Sequence, residues 1–557
     1  MSERSSIPPA QAPAEDGPPA YRKRRAPRKA GLLEGILLIL AVVGTFGWML
    51  PSGVLWTEYD AASRTAYEEM QHWSEAMQME HLISRELLPV LTYFAEDMLP
   101  LPTATAHRSI NLVLHLAASL LLLKLLLRFQ LSGAFAASLV FALHPSVTQT
   151  LFWPGYRMEL IGLIAILTTL LLGLQRGRNG RYLLSLLASI LAIFLHPAGA
   201  FLPVLLALCI YFREKHFALE NFNATLPMLC ASLLIGTWMQ SQAGIDATAP
   251  PRLHAWLYHT GQNLYFFLQK AIYPNDPSLF YPYNTQSIEQ TNLDLSLLPF
   301  CLFLPFYAVA LFKLTKPWGR ALLLGLTAFI LLLLPGIQSP GTNLAGDPAH
   351  EDYNLYIALP AIIALIICGS KSIVSKVALA GKGLWYVALA LFLFMETVNS
   401  FSFSRQLGSA EQMWRTQASE WPEQWMPAAA LAHELQGKRE SPEKRREQMR
   451  LLEKLLKKHP DRLPERYLLL RTYLYAGEVN NALREYRNIL RETEPEPEFI
   501  GEAARFLEFM DLPWEAERAR ARLQQKLHPD PSPQEKTRPS AASILRSLPS
   551  VKAAPEQ

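Results

Sequence analysis

The chain has 557 residues, half of them hydrophobic and 18% charged, with a net charge of +4. The average hides a mixture: residues 31–400 are far more apolar than the two ends, the pattern of a polytopic membrane protein with polar appendages. Nucleic-acid binding is excluded as a reading, because the basic residues are scattered over loop ends and form no motif. The four cysteines (Cys209, Cys230, Cys301 and Cys368) all fall inside apolar runs and offer neither metal spacing nor a disulfide framework, so they read as packing residues.

Residues 1–30 are rich in Pro and Ala and close on the basic cluster Arg22, Lys23, Arg24, Arg25, Arg28 and Lys29. Such composition cannot bury a core and predicts a disordered tail. Residues 31–50 form an apolar run long enough to span as a helix. No small-residue cleavage site follows, so the run reads as an uncleaved signal anchor, with the basic cluster holding the N-terminus in the cytoplasm. Residues 51–103 form a long first outer loop of amphipathic texture (Trp73, Met77, Leu82, Leu87, Leu91), suited to helices lying in the interface.

Further spans are predicted near 109–128, 131–151, 159–175, 182–195, 199–212, 225–240, 296–313, 320–336, 354–369 and 383–400, about eleven with the first. Every alternate loop between them is basic, as positive-inside bookkeeping requires of cytoplasmic loops: Lys124/Arg128, Arg176/Arg178/Arg181, Arg213/Lys215, Lys313/Lys316/Arg320 and Lys371/Lys376/Lys382. Loops 51–103, 241–295 and 337–353 then face outward, as does everything after Ser400. Asn223-Ala224-Thr225 is a formal glycosylation sequon, but this topology sets it beside a cytoplasmic loop. Residues 401–430 form a connector. Residues 431–529 are helix-rich and polar, and Leu469, Tyr473, Gly477, Ala482 and Tyr486 have the spacing of a tetratricopeptide-repeat helix pair. Pro460, Pro495 and Pro529 recur at a period of about 34. Residues 530–557 are Pro- and Ser-rich and predicted to be disordered. The expected fold is all-α: a membrane domain over 31–400 followed by an α-solenoid.

Between the second and third apolar runs of residues 104–171 lies HPSVTQTLFWPGYRMEL, with His144, Gln149, Trp153, Tyr156, Arg157 and Glu159. Ionisable groups beside a bilayer are costly and therefore mark a functional site. This stretch resembles the membrane core of the tetratricopeptide-repeat transmembrane O-mannosyltransferases (TMTC-type) and their bacterial relatives. Asn111, Leu112, His115, Phe141 to Pro145, Thr148, Arg157, Glu159 and Leu160 fall on that family's pattern; Gln149 replaces its usual Glu. Near 353 the family's E/D-R-Y-L-Y-L-P element is met without its Arg.

The resemblance implies a GT-C-class, inverting glycosyltransferase. It would move a sugar from a polyprenyl-phosphate-linked donor to a protein or glycan acceptor on the outer side of a bacterial inner membrane. Asp60 would be the general base, with Glu58 and Asp97 as further acidic candidates; a carboxylate must take the acceptor's proton as it attacks. Asp60 also suits a helix cap. Arg157, His144, Arg85, His196, Glu159, Tyr156, His350, Glu351 and Tyr353 would hold the donor phosphate and substrate, Arg being suited to bidentate phosphate binding. Arg157 reads equally as an interfacial snorkeller or a partner of Glu159, and His144 as a turn-orienting residue. Asn111 and His115 read as glue between helices. The resemblance fixes no cofactor and leaves room for a divalent metal. The repeats would dock the acceptor or a protein partner. The alternatives are a polymerase or ligase using a pyrophosphate-linked glycan, and a non-catalytic membrane scaffold.

Overall fold

Each of the eleven stretches predicted to span contains a helix in the computed structural model, which describes residues 31–51, 87–153, 155–175, 179–214, 219–242, 253–274, 277–279, 281–282, 293–338, 341–342, 348–376, 379–436, 441–492 and 497–527. The predicted tails 1–30 and 530–557 lie outside the described residues, as do Glu58, Asp60 and Arg85. The membrane part comprises α1 (Gly31–Phe46), α2 (Leu87–Asp97), α3 (Thr103–Arg128), α4 (Ala134–Leu143), α5 (Val147–Phe152), α6 (Arg157–Gly173), α7 (Asn179–Leu195), α8 (Leu202–Glu214), α9 (Leu219–Gln242), α10 (Leu253–Ile272), α11 (Leu293–Phe312), α12 (Pro317–Gln338), α13 (Leu359–Val374) and α14 (Leu379–Leu407). Among the described residues, five helices are long and apolar enough to cross a membrane, and five more are shorter apolar helices. Helices suit such a chain because each satisfies its own backbone polar groups, which lipid cannot do.

The burial pattern is that of a protein turned outward to lipid. On α14, Leu384, Leu391 and Phe394 are exposed, whereas Glu396, Ser400 and Ser404 are fully buried. The buried three recur every four residues and so share one face. On α3 the same spacing buries Asn111, His115 and Ser119 while Val113 is exposed. In water this arrangement would be inverted, with apolar side chains in and polar ones out. The protein is an integral membrane protein.

The span expected over 131–151 is not continuous. It breaks at His144-Pro145-Ser146 into α4 and α5. Proline cannot donate to a preceding turn and its ring clashes with it, so the helix stops there. The carbonyls freed at the end of α4 are taken by side chains: His115 Nε2 lies 3.1 Å from the Ala142 oxygen, and the Ser400 hydroxyl donates to Leu143 at 2.6 Å.

The fold is all-helical, as expected, with one small addition in the loops. A small sheet joins β1 (Tyr281–Pro282), β2 (Gly341–Thr342) and β3 (Pro348–His350), antiparallel in the order β1-β3-β2, with Tyr281 opposite His350. It ties the segment after α10 to the segment before α13. Pairing across two segments separated in sequence leaves no local signal.

After α14 the chain continues as α15 (Ala410–Glu420), α16 (Trp425–Glu434), α17 (Pro442–Lys458), α18 (Leu463–Ala476), α19 (Val479–Glu492), α20 (Pro497–Phe509) and α21 (Pro513–Leu527). Each packs on the next in sequence. Ser409 and Ser441 cap α15 and α17 through their side chains. Gly477 ends α18 at φ +74°, a left-handed conformation that glycine adopts without strain. Leu469, Tyr473, Ala482 and Tyr486 are all buried between α18 and its neighbours. A buried Arg466–Glu485 pair at 2.6 Å links α18 to α19.

Candidate functional site

The start of α6 gathers six of the twelve predicted site residues. Pro154-Gly155 in the sequence is a turn signal, and Glu159 in the first helical turn complements the helix dipole. Three closely spaced positions, Tyr156, Arg157 and Glu159, then point to three different parts of the protein.

Arg157 faces α2 and α3. Its Nε donates to Asn111 Oδ1 at 2.9 Å and its Nη1 to the Thr92 hydroxyl at 2.6 Å, while Nη2 forms an ion pair with Glu96. His107 pairs with the same carboxylate, and its ring meets Tyr93 edge-on at 5.4 Å. The guanidinium lies over the Tyr93 ring at 5.5 Å. The group is buried throughout, with Arg157 only 1% exposed. Asn111 does two jobs: its amide nitrogen donates to the Trp153 and Leu151 carbonyls at 3.0 and 3.2 Å, fixing the end of α5, while its oxygen accepts from Arg157.

Tyr156 faces the segment before α13. Its hydroxyl donates to Glu351 at 2.7 Å and its ring stacks on Tyr353 at 4.0 Å. Burial pushes the Glu351 carboxyl up to about 7; the Tyr156 hydrogen bond opposes this shift and the neighbouring Asp352 adds to it. Asp352 is raised to about 6 by burial, opposed by Lys270 and by a 3.2 Å hydrogen bond from Tyr281. Lys270 sits 4.2 Å from the Tyr281 ring centre. Glu159 faces His196, whose Nε2 is 3.2 Å away. The other ring nitrogen of His196 accepts from the Ala198 amide, so Nε2 carries the proton and donates to Glu159. Gly162, one turn along α6, lets this approach happen: a Cβ there would meet the His196 Cβ at 3.0 Å.

The structure therefore brings Tyr156, Arg157, Glu159, His196, Glu351 and Tyr353 to the head of one helix. His144 is elsewhere, beside Ser146, Glu396 and the Ala271 carbonyl. The backbone of His350 lies in β3 and that of Asp97 in α2, while their side chains are outside the described set. Sequence reasoning missed Thr92, Glu96, His107 and Lys270 as site members, and read Asn111 and His115 as glue only. His115 does act as glue, its Nδ1 lying 2.9 Å from the Tyr356 hydroxyl. It also missed Glu396, although a single acid in the run LWYVALALFLFMETVNSF is a direct signal. Gln149, the position expected to be Glu, donates to the Leu279 carbonyl at 2.8 Å and so anchors a loop. Among the described residues no group of three or more His, Cys, Asp or Glu is placed to hold a metal.

No family model matches the chain. Similarity to whole proteins does. The Probable UDP-sugar transporter protein SLC35A4 of Bos taurus is 32% identical over 238 residues, which cover 40% of this chain and 67% of the relative. The proteins of the same name from Homo sapiens and Pongo abelii are each 31% identical over 237 residues, with the same coverage. The chain belongs to the SLC35A4 family of probable UDP-sugar transporters.

This membership overturns the resemblance to the GT-C glycosyltransferases. With it go the transferase activity, the polyprenyl-phosphate-linked donor, and the protein or glycan acceptor. The polymerase or ligase and scaffold alternatives, and the partner expected on the C-terminal helices, do not match the relatives either. The physical reason is that the motifs were short. His-Pro at a helix break, Gly-Tyr-Arg at a helix start and Glu in the first helical turn are devices that polytopic proteins commonly use to end and begin their spans. Their order in a sequence says how helices are punctuated, not what passes between them. The base role given to Asp60, Glu58 and Asp97 came from that resemblance and leaves with it.

Proposed function

We propose that this protein moves a UDP-linked sugar across the membrane it spans. Membership of the SLC35A4 family carries the reading. The geometry supports it in two ways. A helix broken inside the bundle, as at α4–α5, is an element that transporters share, although here His115 and Ser400 hold the freed carbonyls. Beside it, the head of α6 gathers groups suited to a nucleotide sugar's base and hydroxyls: stacked aromatic rings at Tyr156 and Tyr353 and carboxylates at Glu159 and Glu351, with the buried Arg157–Asn111 cluster holding the helix that carries them. His196 is the proton donor that sets the direction of Glu159.

Purified protein in liposomes is expected to take up radiolabelled UDP-glucose saturably, with UDP competing and free glucose neither entering nor competing. Monodisperse, folded protein that accumulates no member of a panel of UDP-sugars above empty liposomes would sink the reading.

We also read the chain as crossing the membrane eleven times with its N-terminus in the cytoplasm, resting on the basic cluster before α1 and on the alternation of basic loops. In a bacterial host that membrane is the inner one, and the helices from α15 onward, whose spacing fits tetratricopeptide-like repeats, face the periplasm. A single cysteine at Ser409 should react with an impermeant maleimide only from the outer side; reaction from the cytoplasmic side alone reverses the orientation.

A further inference from the structure

Glu396 lies in the middle of α14, on a helix whose other face is exposed leucine, valine and phenylalanine. It is fully buried, and so is His144, whose Nε2 is 3.9 Å from the carboxylate. At that distance the two are not hydrogen-bonded, but they are close enough for one charge to be felt strongly by the other in a dry interior. Neither Glu396 oxygen has a hydrogen-bond partner among the described residues, and His144 has the Ala271 carbonyl as its other neighbour. The imidazole is constrained from its other side: Nδ1 accepts the Ser146 amide at 3.2 Å, so this nitrogen is unprotonated and the ring's proton sits on Nε2, towards Glu396. A second proton on Nδ1 would break that bond. The labile proton of the pair therefore belongs to the carboxyl.

The surrounding elements do not supply another counter-charge. The helices packed on α14 are α1, α4, α5, α13 and α15. From α1 comes Glu34, in its first turn; α4 and α5 carry no titratable residue. From α13 come Cys368 and Lys371, the latter over the Trp385 and Tyr386 rings near the start of α14. Tyr386 is ten residues before Glu396, about 15 Å along the helix. From α15 come Glu411 and Arg415, which pair with each other and with Lys444 and Glu447, and Glu420, which accepts from Gln417. On α14 itself Lys382 and Arg405 stand at the two ends. Around His144, α3 brings His115, held by Ala142 and Tyr356, and α10 brings the Ala271 carbonyl and Lys270, which lies over Tyr281. An isolated acid here is functional by default, because a permanently bare carboxylate inside a membrane bundle is costly.

We propose that Glu396, with His144 beside it, is a proton-carrying site coupled to transport: the carboxyl takes a proton from one side of the membrane and releases it to the other as the helices rearrange. The site is placed to sense that rearrangement. One turn on from Glu396, Ser400 holds the Leu143 carbonyl at the α4–α5 break, so a change of charge at Glu396 acts on the same junction that the break exposes. The coupling rests on the transport reading above; the proton site does not.

Two measurements separate them. Infrared difference spectra of the full-length protein across a pH series should show a carboxylic-acid C=O band that disappears reversibly as the pH rises and is absent from Glu396→Gln. If that variant does not fold, Glu396→Asp should move the band and His144→Gln should shift its titration. A wild-type spectrum in which no buried acid band titrates, or a band unchanged by all three substitutions, overturns the site. In liposomes, an imposed pH difference should change the initial rate of UDP-glucose uptake several-fold in the wild type and leave Glu396→Gln unaffected. Uptake indifferent to the pH difference in the wild type overturns the coupling while leaving transport standing. A titrating Glu396 in a protein that takes up no UDP-sugar overturns the coupling and the transport reading together, and upholds the proton site alone.

Discussion

Arg157→Met is expected to lower stability by about 3–5 kcal/mol, the scale for breaking a buried ion pair by removing one partner. The guanidinium gives one nitrogen each to Asn111, Thr92 and Glu96, and all three acceptors are at least partly shut away from solvent. Removing it leaves the Glu96 carboxylate with His107 as its remaining ion-pair partner in the group, and leaves Asn111 Oδ1 without its donor. The readout is the melting temperature of the detergent-solubilised protein. Arg157→Lys should recover only part of the loss, because an ammonium keeps the charge but cannot reach three separate acceptors in the fixed fork of a guanidinium. Adding Glu96→Gln to Arg157→Met should restore much of it by removing the uncompensated charge. A melting temperature unchanged in Arg157→Met would show that the cluster holds nothing together, and would leave α2 free of its anchor to α6.

Stability should fall as pH rises from about 4.5 to about 7, and Glu351 is the reason. Its carboxyl lies between α12 and α13, outside the spanning helices, and burial lifts it from 4.5 to about 7. Below 4.5 the acid is protonated in both folded and unfolded chains and makes no difference. Between 4.5 and 7 the folded chain keeps the proton and the unfolded chain loses it, so folding binds a proton and each rise in pH disfavours it. Above 7 both are ionised and the full penalty, about 3 kcal/mol, is present. Asp352, raised from 3.8 to about 6, acts in the same direction over a lower window. Melting temperature measured from pH 4 to pH 8 should therefore decline through this range. Glu351→Gln should flatten about half of the decline, in its upper part, since its amide is neutral throughout and can still accept from Tyr156, while Asp352 continues to titrate. A flat profile in the wild type, or an equally steep one in Glu351→Gln, would remove Glu351 from this role.

Both predictions concern residues that the sequence placed only in part. Arg157 stood out because a charge between two apolar runs has few reasons to be there. Its partner did not, because Glu96 and Asp97 are adjacent in an amphipathic stretch and a helix turns adjacent side chains by roughly 100°. Which one faces inward depends on how α2 is rotated against α6, and that is fixed by Thr92, Tyr93 and Glu96 meeting Arg157 together. Glu351 and Tyr353 were picked out from the loop before the last core span, but their joining to Tyr156 links positions 195 residues apart. The break at His144-Pro145 was hidden within a run that reads as one span, since proline in a transmembrane helix is tolerated when neighbours satisfy the freed carbonyls, and here His115 and Ser400 do so. The functional family was misread for a related reason. Residues that punctuate helices look alike in proteins with unrelated tasks.

What the sequence determined by itself is what depends on local composition. Apolar length set which segments are helical and membrane-bound, and helix-stop signals set most of their ends. Alternating burial at Leu469, Tyr473, Ala482 and Tyr486 set the pairing of α18 with α19, because the two are neighbours joined by a single turn at Gly477. Only the tertiary structure decided which polar residues meet. In a lipid-facing bundle, apolar side chains pack on lipid and protein with little discrimination, whereas each buried polar group must find a partner of matching charge and geometry. Those partners came from α2, α3 and the segment before α13 for the head of α6, and from α14 for His144, elements far apart in the chain that only their packing brings together.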